Sequence, residues 1–217
     1  MVRYGTFSRV SDNEDVKRTR ILVVAIGILI ANTYQSYAYK ILYAEQFYKL
    51  FHQHLYQYPE RIAENIGYLQ SALKADFANP LYALAKIPDK QHWERYRYLF
   101  KMHVNLKILE QVLLWGSKYQ KMAAYFFNAP WWRENLESLD QAEALFRSAL
   151  PYWEEAKIWS RKAAALSFLH MEEIQAWEDE NYRIETGDLD YQVIIQEHLN
   201  RVERVRAAFQ KMDATTY

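Results

Sequence analysis

Six histidines, His52, His54, His92, His103, His170 and His198, are the side chains here best suited to acid–base or metal chemistry. Their spacing does not gather them. His52 and His54 lie two apart, so on a helix they point to different faces and chelate one metal poorly. The sequence has no HExxH and no Glu-x-x-His pair of the di-iron type. His170 and Glu173, at i,i+3, read as a solvated polar contact. No GxSxG, GxGxxG or P-loop occurs, and five scattered glycines could not build one. Carboxylate runs at Glu154-Glu155, Glu172-Glu173 and Glu178-Asp179-Glu180 fall among lysines and arginines at helical spacing, the pattern of an exposed helix face. The absence of cysteine excludes disulfides and thiolate metal sites. The reading is of a chain with no catalytic residue, no metal site and no cofactor.

Aromatic residues are the other excess: 18 Tyr, 7 Trp and 10 Phe. Most are expected to fill grooves between helices. Trp131 and Trp132 differ, because adjacent helix positions are about 100° apart and two such rings do not fit one groove. One of them is expected at the surface, as a partner or membrane contact. Tyr96, Tyr98, Tyr125 and Phe126 raise the same question. Trp131, Trp132, Tyr96, Tyr125 and Phe126 are the candidate partner-binding residues, with a protein interface favoured over a ligand pocket.

These side chains must be positioned by helices. Five glycines and five prolines in 217 residues leave few turns and long elements, and no alternating strand pattern appears. The breaks predict one helix ending at Tyr58-Pro59 and a second over Pro59 to Ala75. Asn79-Pro80 opens a short third, and Asp89 caps a long one from Lys90 towards Phe127, with a break available at Gly116-Ser117. Asn128-Ala129-Pro130 begins the next, to Leu150. Pro151 starts another to Ile184, Thr186-Gly187 stops it, and Asp188 caps the last, to Met212. Lysine plus arginine and aspartate plus glutamate number 27 each, so no basic excess points to nucleic acid.

The segment Ile21–Ala31 decides where the chain sits. Its eleven apolar residues cover about 16 Å as a helix, half a bilayer core, which suits a signal-peptide core, a buried helix or part of a span. Leu29 and Ala31 make a poor cleavage site. Extended through Ala38 the helix reaches about 27 Å, with Tyr34, Tyr37 and Lys40 where an interfacial belt belongs. The favoured reading is a single-span anchor built on Ile21, Leu22, Val23, Val24, Ile26, Ile28, Leu29 and Ile30. Arg18 and Arg20 stand at its near edge. With Arg3, Arg9 and Lys17 on the same side, the N-terminus is placed in the cytoplasm and the body across the inner membrane, in a bacterium the periplasm. This gives a cytoplasmic tail over 1–17, an anchor continuing as one helix through an amphipathic stem over 18–58, and a helical body over 59–217. Along the stem, Tyr37, Ile41, Ala44, Tyr48, Phe51 and Leu55 form a stripe at helical spacing.

Within the body, ALKADFANPLYA at Ala72–Ala83 resembles the junction between tetratricopeptide units, matching at Ala72, Leu73, Asp76, Asn79, Pro80 and Tyr82, with Phe77 in place of the usual proline. In DQAEALFRSAL, Ala142, Phe146 and Ala149 have the small–aromatic–small spacing of such a unit's second helix. The resemblance implies an all-α chain of stacked antiparallel hairpins, a short solenoid that binds proteins. An anchored, Tyr-rich helical body is also similar in plan to the collar proteins of spirochaetal periplasmic flagellar motors. The expected role is a non-enzymatic scaffold or adaptor in a membrane-associated assembly. Its partners would be other proteins, the bilayer through the N-terminal helix, and a second copy in a homo-oligomer, but not nucleic acid. The alternative is a soluble all-helical binding module for a lipid or small apolar ligand.

Overall fold

The structure is a computed structural model and describes residues 40–213 and Thr215. The anchor residues 21–30, with Arg18, Arg20, Tyr34 and Tyr37, lie outside the described residues, and Lys40 is exposed. No helix among the described residues is long and apolar enough to cross a membrane.

The described residues are all-helical: α1 Ala44–Gln57, α2 Ile62–Lys74, α3 Lys90–Tyr119, α4 Trp131–Ala164, α5 Gln175–Thr186 and α6 Tyr191–Lys211, with 3-10 turns at Pro80–Tyr82 and Glu172–Ile174. One isolated bridge joins Tyr43 to Asp76. The expected continuous helix over 18–58 does not run through residues 40–43, which are extended or irregular. There Tyr43 pairs with Asp76, and the Ala44 N–H donates to the Asp76 carbonyl at 2.8 Å, so α1 starts afresh. The stem stripe survives within α1, where Ala44, Tyr48 and Phe51 are buried.

The core is built around α3. Its stretch from Leu99 to Leu109 has almost no polar stripe: Leu99, Phe100, Met102, Val104, Leu106, Ile108 and Leu109 are buried all round the helix, as befits a central element. It packs most extensively on α4, and also against α2 and α5; α1 pairs with α2, and α6 lies on α4. At the α3–α4 crossing Gly116 faces Phe146, and a Cβ on Gly116 would stand 2.6 Å from that ring. Ala142 and Ala149 flank Phe146 on the buried face of α4.

Local signals hold where a side chain caps its own helix. Asp89 Oδ1 accepts the His92 N–H at 2.9 Å, Asn79 Oδ1 accepts the Leu81 N–H at 2.9 Å, and Gly187 takes φ 82° to end α5. Others move. Asp190, not Asp188, caps α6 through the Gln192 N–H, while Asp188 accepts the Thr186 hydroxyl. Helix α3 passes Gly116 but stops at Tyr119, short of Phe127, where Ser138 Oγ donates to the Tyr119 carbonyl at 2.9 Å. Pro151 lies inside α4 instead of starting a new helix. It is on the exposed face, as is Arg147, whose carbonyl loses its i+4 donor there. Helix α4 ends at Ala164 because buried Arg95 of α3 donates from Nη1 to the carbonyls of Ala163 at 2.7 Å and Leu166 at 3.3 Å. A cation at a helix C-terminus satisfies carbonyls left without intrahelical partners.

Candidate functional site

Helix α3 sets basic side chains on two of its faces. On the inner face, Arg95 and His103 stand two turns apart and meet carboxylates of α5. Arg95 Nε donates to Glu178 Oε1 at 2.9 Å and Nη2 to Glu178 Oε2, a buried bidentate pair. His103 Nδ1 pairs with Glu180, and its Nε2 lies 2.7 Å from the Tyr48 hydroxyl of α1. With Nδ1 donating to the Glu180 carboxylate, Nε2 is left to accept the hydrogen bond of the Tyr48 hydroxyl. Burial, and then the charge of Glu180, push the Tyr48 hydroxyl well above the ordinary tyrosine value and keep it a donor. Trp177 stacks on His103 with centroids 4.9 Å apart. Glu180 also meets Lys107, which reaches Glu110, and Glu110 accepts the Tyr191 hydroxyl at 2.9 Å. A Tyr–His–Glu order is that of an oriented base, but here its atoms are spent on one another and tie α1, α3 and α5 together.

On the outer face of α3, Trp93, Arg97 and Lys101 recur every fourth residue and line a groove of about 920 Å³. Its other walls are the end of α2 with Lys74, the loop 75–80, and Trp159 and Lys162 of α4. The loop is held from below: buried Glu45 of α1 accepts the Ala78 N–H at 3.0 Å. Burial raises the Glu45 carboxyl above its ordinary range, against the pull of that hydrogen bond. The cations are arranged by indoles. Lys101 Nζ stands 4.3 Å and Lys162 Nζ 3.9 Å from the Trp159 centroid, and Arg97 lies 5.7 Å from that of Trp93. Burial, then Arg97 and Lys162, lower the Lys101 ammonium below its usual value. None of Lys74, Arg97, Lys101 and Lys162 makes an ion pair among the described residues, and buried Arg97 Nε has no hydrogen-bond partner there.

A third surface collects most of the aromatic residues singled out in the sequence. In the 120–130 connection and the first turn of α4, Met122 is 72% exposed, Tyr125 56%, Phe126 63% and Trp131 59%. Phe126, Phe127, Asn128 and Trp131 line a depression of about 330 Å³. Trp132 faces inward, its Nε1 donating to the Phe209 carbonyl of α6 at 2.8 Å, so the two tryptophans divide as their spacing requires. Tyr96 is not a surface residue. It is fully buried, stacked on Trp93, and its hydroxyl accepts the Leu84 N–H at 3.1 Å. Tyr98 is half-buried against Trp159.

His54 bridges Asn65 and Glu64, while His52 packs on Phe51 and on Tyr48, the ring that His103 also meets. His170 and Glu173 are both exposed. No group of three or more metal-ligating side chains occurs among the described residues. The basic groove went unread because its cations come from three segments of a chain with balanced charge, although the four-residue spacing of Trp93, Arg97 and Lys101 marked one of its walls. No curated protein and no solved structure matches the chain. Residues 91–212, from α3 to the end of α6 and more than half the chain, match a family model described as a domain of unknown function, DUF8513. The chain therefore belongs to the DUF8513 family.

Proposed function

We propose that this protein is a non-enzymatic, membrane-anchored scaffold or adaptor whose helical body docks a protein partner through the aromatic surface at the start of α4. The observation that carries the reading is the grouping of Met122, Tyr125, Phe126 and Trp131, all more than half exposed, on one connection. Tyr and Trp are the residues that most often anchor interfaces. Their supports are ordered: Trp132 is tied to the end of α6 and Ser138 to the end of α3, so little freedom would be lost on docking. The apolar run 21–31 behind Lys17, Arg18 and Arg20 supports the anchor. Burial of Ala142, Phe146 and Ala149 on one face of α4 supports helix stacking of the tetratricopeptide kind. Helices of 30 and 34 residues, by contrast, exceed what a two-helix repeat of about 34 residues allots to each. An assembly like the periplasmic flagellar-motor collar is one setting that this plan would suit.

Photo-crosslinking tests the reading. A photoreactive side chain at Phe126 in native membranes is expected to capture a defined protein neighbour, and one at the equally exposed Tyr182 of α5 is not. The protein should stay with carbonate-washed membranes and leave them when residues 1–33 are deleted. Recovery of a soluble monomer carrying a lipid would favour the alternative, a small-ligand module.

A further inference from the structure

We propose that the groove between the 75–80 loop, α3 and α4 is a binding site for a phosphate-bearing anion, held by Arg97, Lys101 and Lys162. Three observations meet there. The cations converge without an ion-paired carboxylate among the described residues, although Asp76 also lines the groove, in a molecule that pairs its buried Arg95 on both oxygens of Glu178. Buried Arg97 Nε lacks an acceptor, and buried donors are ordinarily satisfied. Lys101 is lowered first by burial and then by the repulsion of Arg97 and Lys162, and a bound anion would relieve that second part.

The chemistry favours phosphate over other acids. Lys101 and Lys162 stand over one indole, so the positive charge is compact, whereas an acidic peptide spreads single charges along its length. A phosphate monoester carries about two negative charges and three strong acceptors, matching a guanidinium and two ammoniums that approach from two helices. The aromatic rings do not serve as stacking platforms for bases: Trp93 already carries Tyr96 and Arg97, and Trp159 carries the two lysines. They hold cations instead. A soluble phosphate ester and a phospholipid headgroup share this chemistry, and the experiment separates them.

Titration of the full-length chain in neutral detergent with inorganic pyrophosphate, by calorimetry, is expected to show saturable binding that weakens with salt. Arg97→Gln, Lys101→Gln and Lys162→Gln should each weaken it by about tenfold, the usual worth of a charged hydrogen bond. Lys157→Gln, a lysine on α4 already paired with Glu154, should not change it. Unchanged urea midpoints show that the variants are folded. Binding of phosphatidylglycerol vesicles that pyrophosphate competes away assigns the site to a headgroup, and pyrophosphate binding without vesicle binding assigns it to a soluble ester. The proposal is overturned if neither probe binds, if binding ignores the Arg97 and Lys101 variants, or if polyglutamate or a single-stranded oligonucleotide displaces pyrophosphate at lower concentration. Because Phe126→Ser should leave pyrophosphate binding intact, failure here and failure of the docking surface are separate results.

Discussion

The two faces of α3 use the same residue types to opposite ends. Inward, Arg95 meets Glu178 in a buried ion pair, and His103 meets the part-buried Glu180. Outward, Arg97 and Lys101 meet indoles and another lysine, in a groove open to solvent. What separates a structural lock from a receptor is therefore the carboxylates of α5 rather than the cations. A buried pair contributes little net stability but is costly to break, because the survivor is left charged and dry. An unpaired, half-exposed cluster can lose a member cheaply and leaves charge free for a ligand.

The lock is the place to break this contrast hardest. Glu178→Ala leaves Arg95 buried without its carboxylate partner and is expected to destabilise the protein by about 3–5 kcal/mol in urea unfolding. Replacing both partners, Arg95→Met with Glu178→Leu, should recover part of that loss, the remainder being the Ala163 and Leu166 carbonyls left without a donor; if the double variant is no better than the single, pairing is not the cause. A second break acts through shape. Gly116→Ala gains helix propensity but drives a Cβ into the buried Phe146 ring, at an expected net cost of about 1–3 kcal/mol. Gly67→Ala in α2, with nothing within 4 Å of the new carbon, should instead add about 0.5–1 kcal/mol.

Acid titration sharpens the role of pairing. Glu143 of α4 is held below its ordinary range by hydrogen bonds from Arg147 and Arg206. Its contribution is present above about pH 4.3, the unfolded carboxyl's value, and is lost as pH falls through the lowered folded value. Glu45, raised by burial, behaves oppositely: its contribution is full below about pH 4.3 and is lost as pH rises through the raised folded value. Glu143→Gln should flatten the acid limb of a stability–pH curve, and Glu45→Gln should remove the loss above it. The smallest effect belongs to the groove. Lys101→Ala and Lys162→Ala should each stay within about 0.5 kcal/mol of the parent in urea unfolding, since a lost cation–π contact is offset by relieved repulsion.

How much of this was legible depended on how far each signal reached along the chain. Asp89, Asn79 and Gly187 end or start their helices through partners two to four residues away, so their local pattern was sufficient. Arg95 ends α4 from 68 positions away, and nothing in Leu166-Ser167-Phe168 announces that stop. Pro151 looked like a break, yet an exposed face and the packing of Phe146 and Trp153 on either side carry the helix through it. The exposure of Tyr125, Phe126 and Trp131 was legible because unusual aromatic placement survives in one short stretch. Tyr96 failed the same test, since its neighbours Phe77, Phe100 and Trp177 come from three elements. The carboxylate run Glu178-Asp179-Glu180 read as a solvated face for a related reason: its partners, Arg95 and His103, lie on another helix.

The claim that α3 separates fold from recognition is tested most directly by urea unfolding of the full-length chain with and without pyrophosphate, in the parent, Lys101→Gln and Glu180→Gln. A ligand that binds only the folded state raises the midpoint by an amount that grows with the logarithm of its concentration over Kd. Lys101→Gln should keep the parental midpoint and show a rise smaller by the equivalent of a tenfold loss of affinity, while Glu180→Gln should lower the midpoint and keep the rise. A Lys101→Gln protein that unfolds early, or that still gains the full rise, would contradict the account.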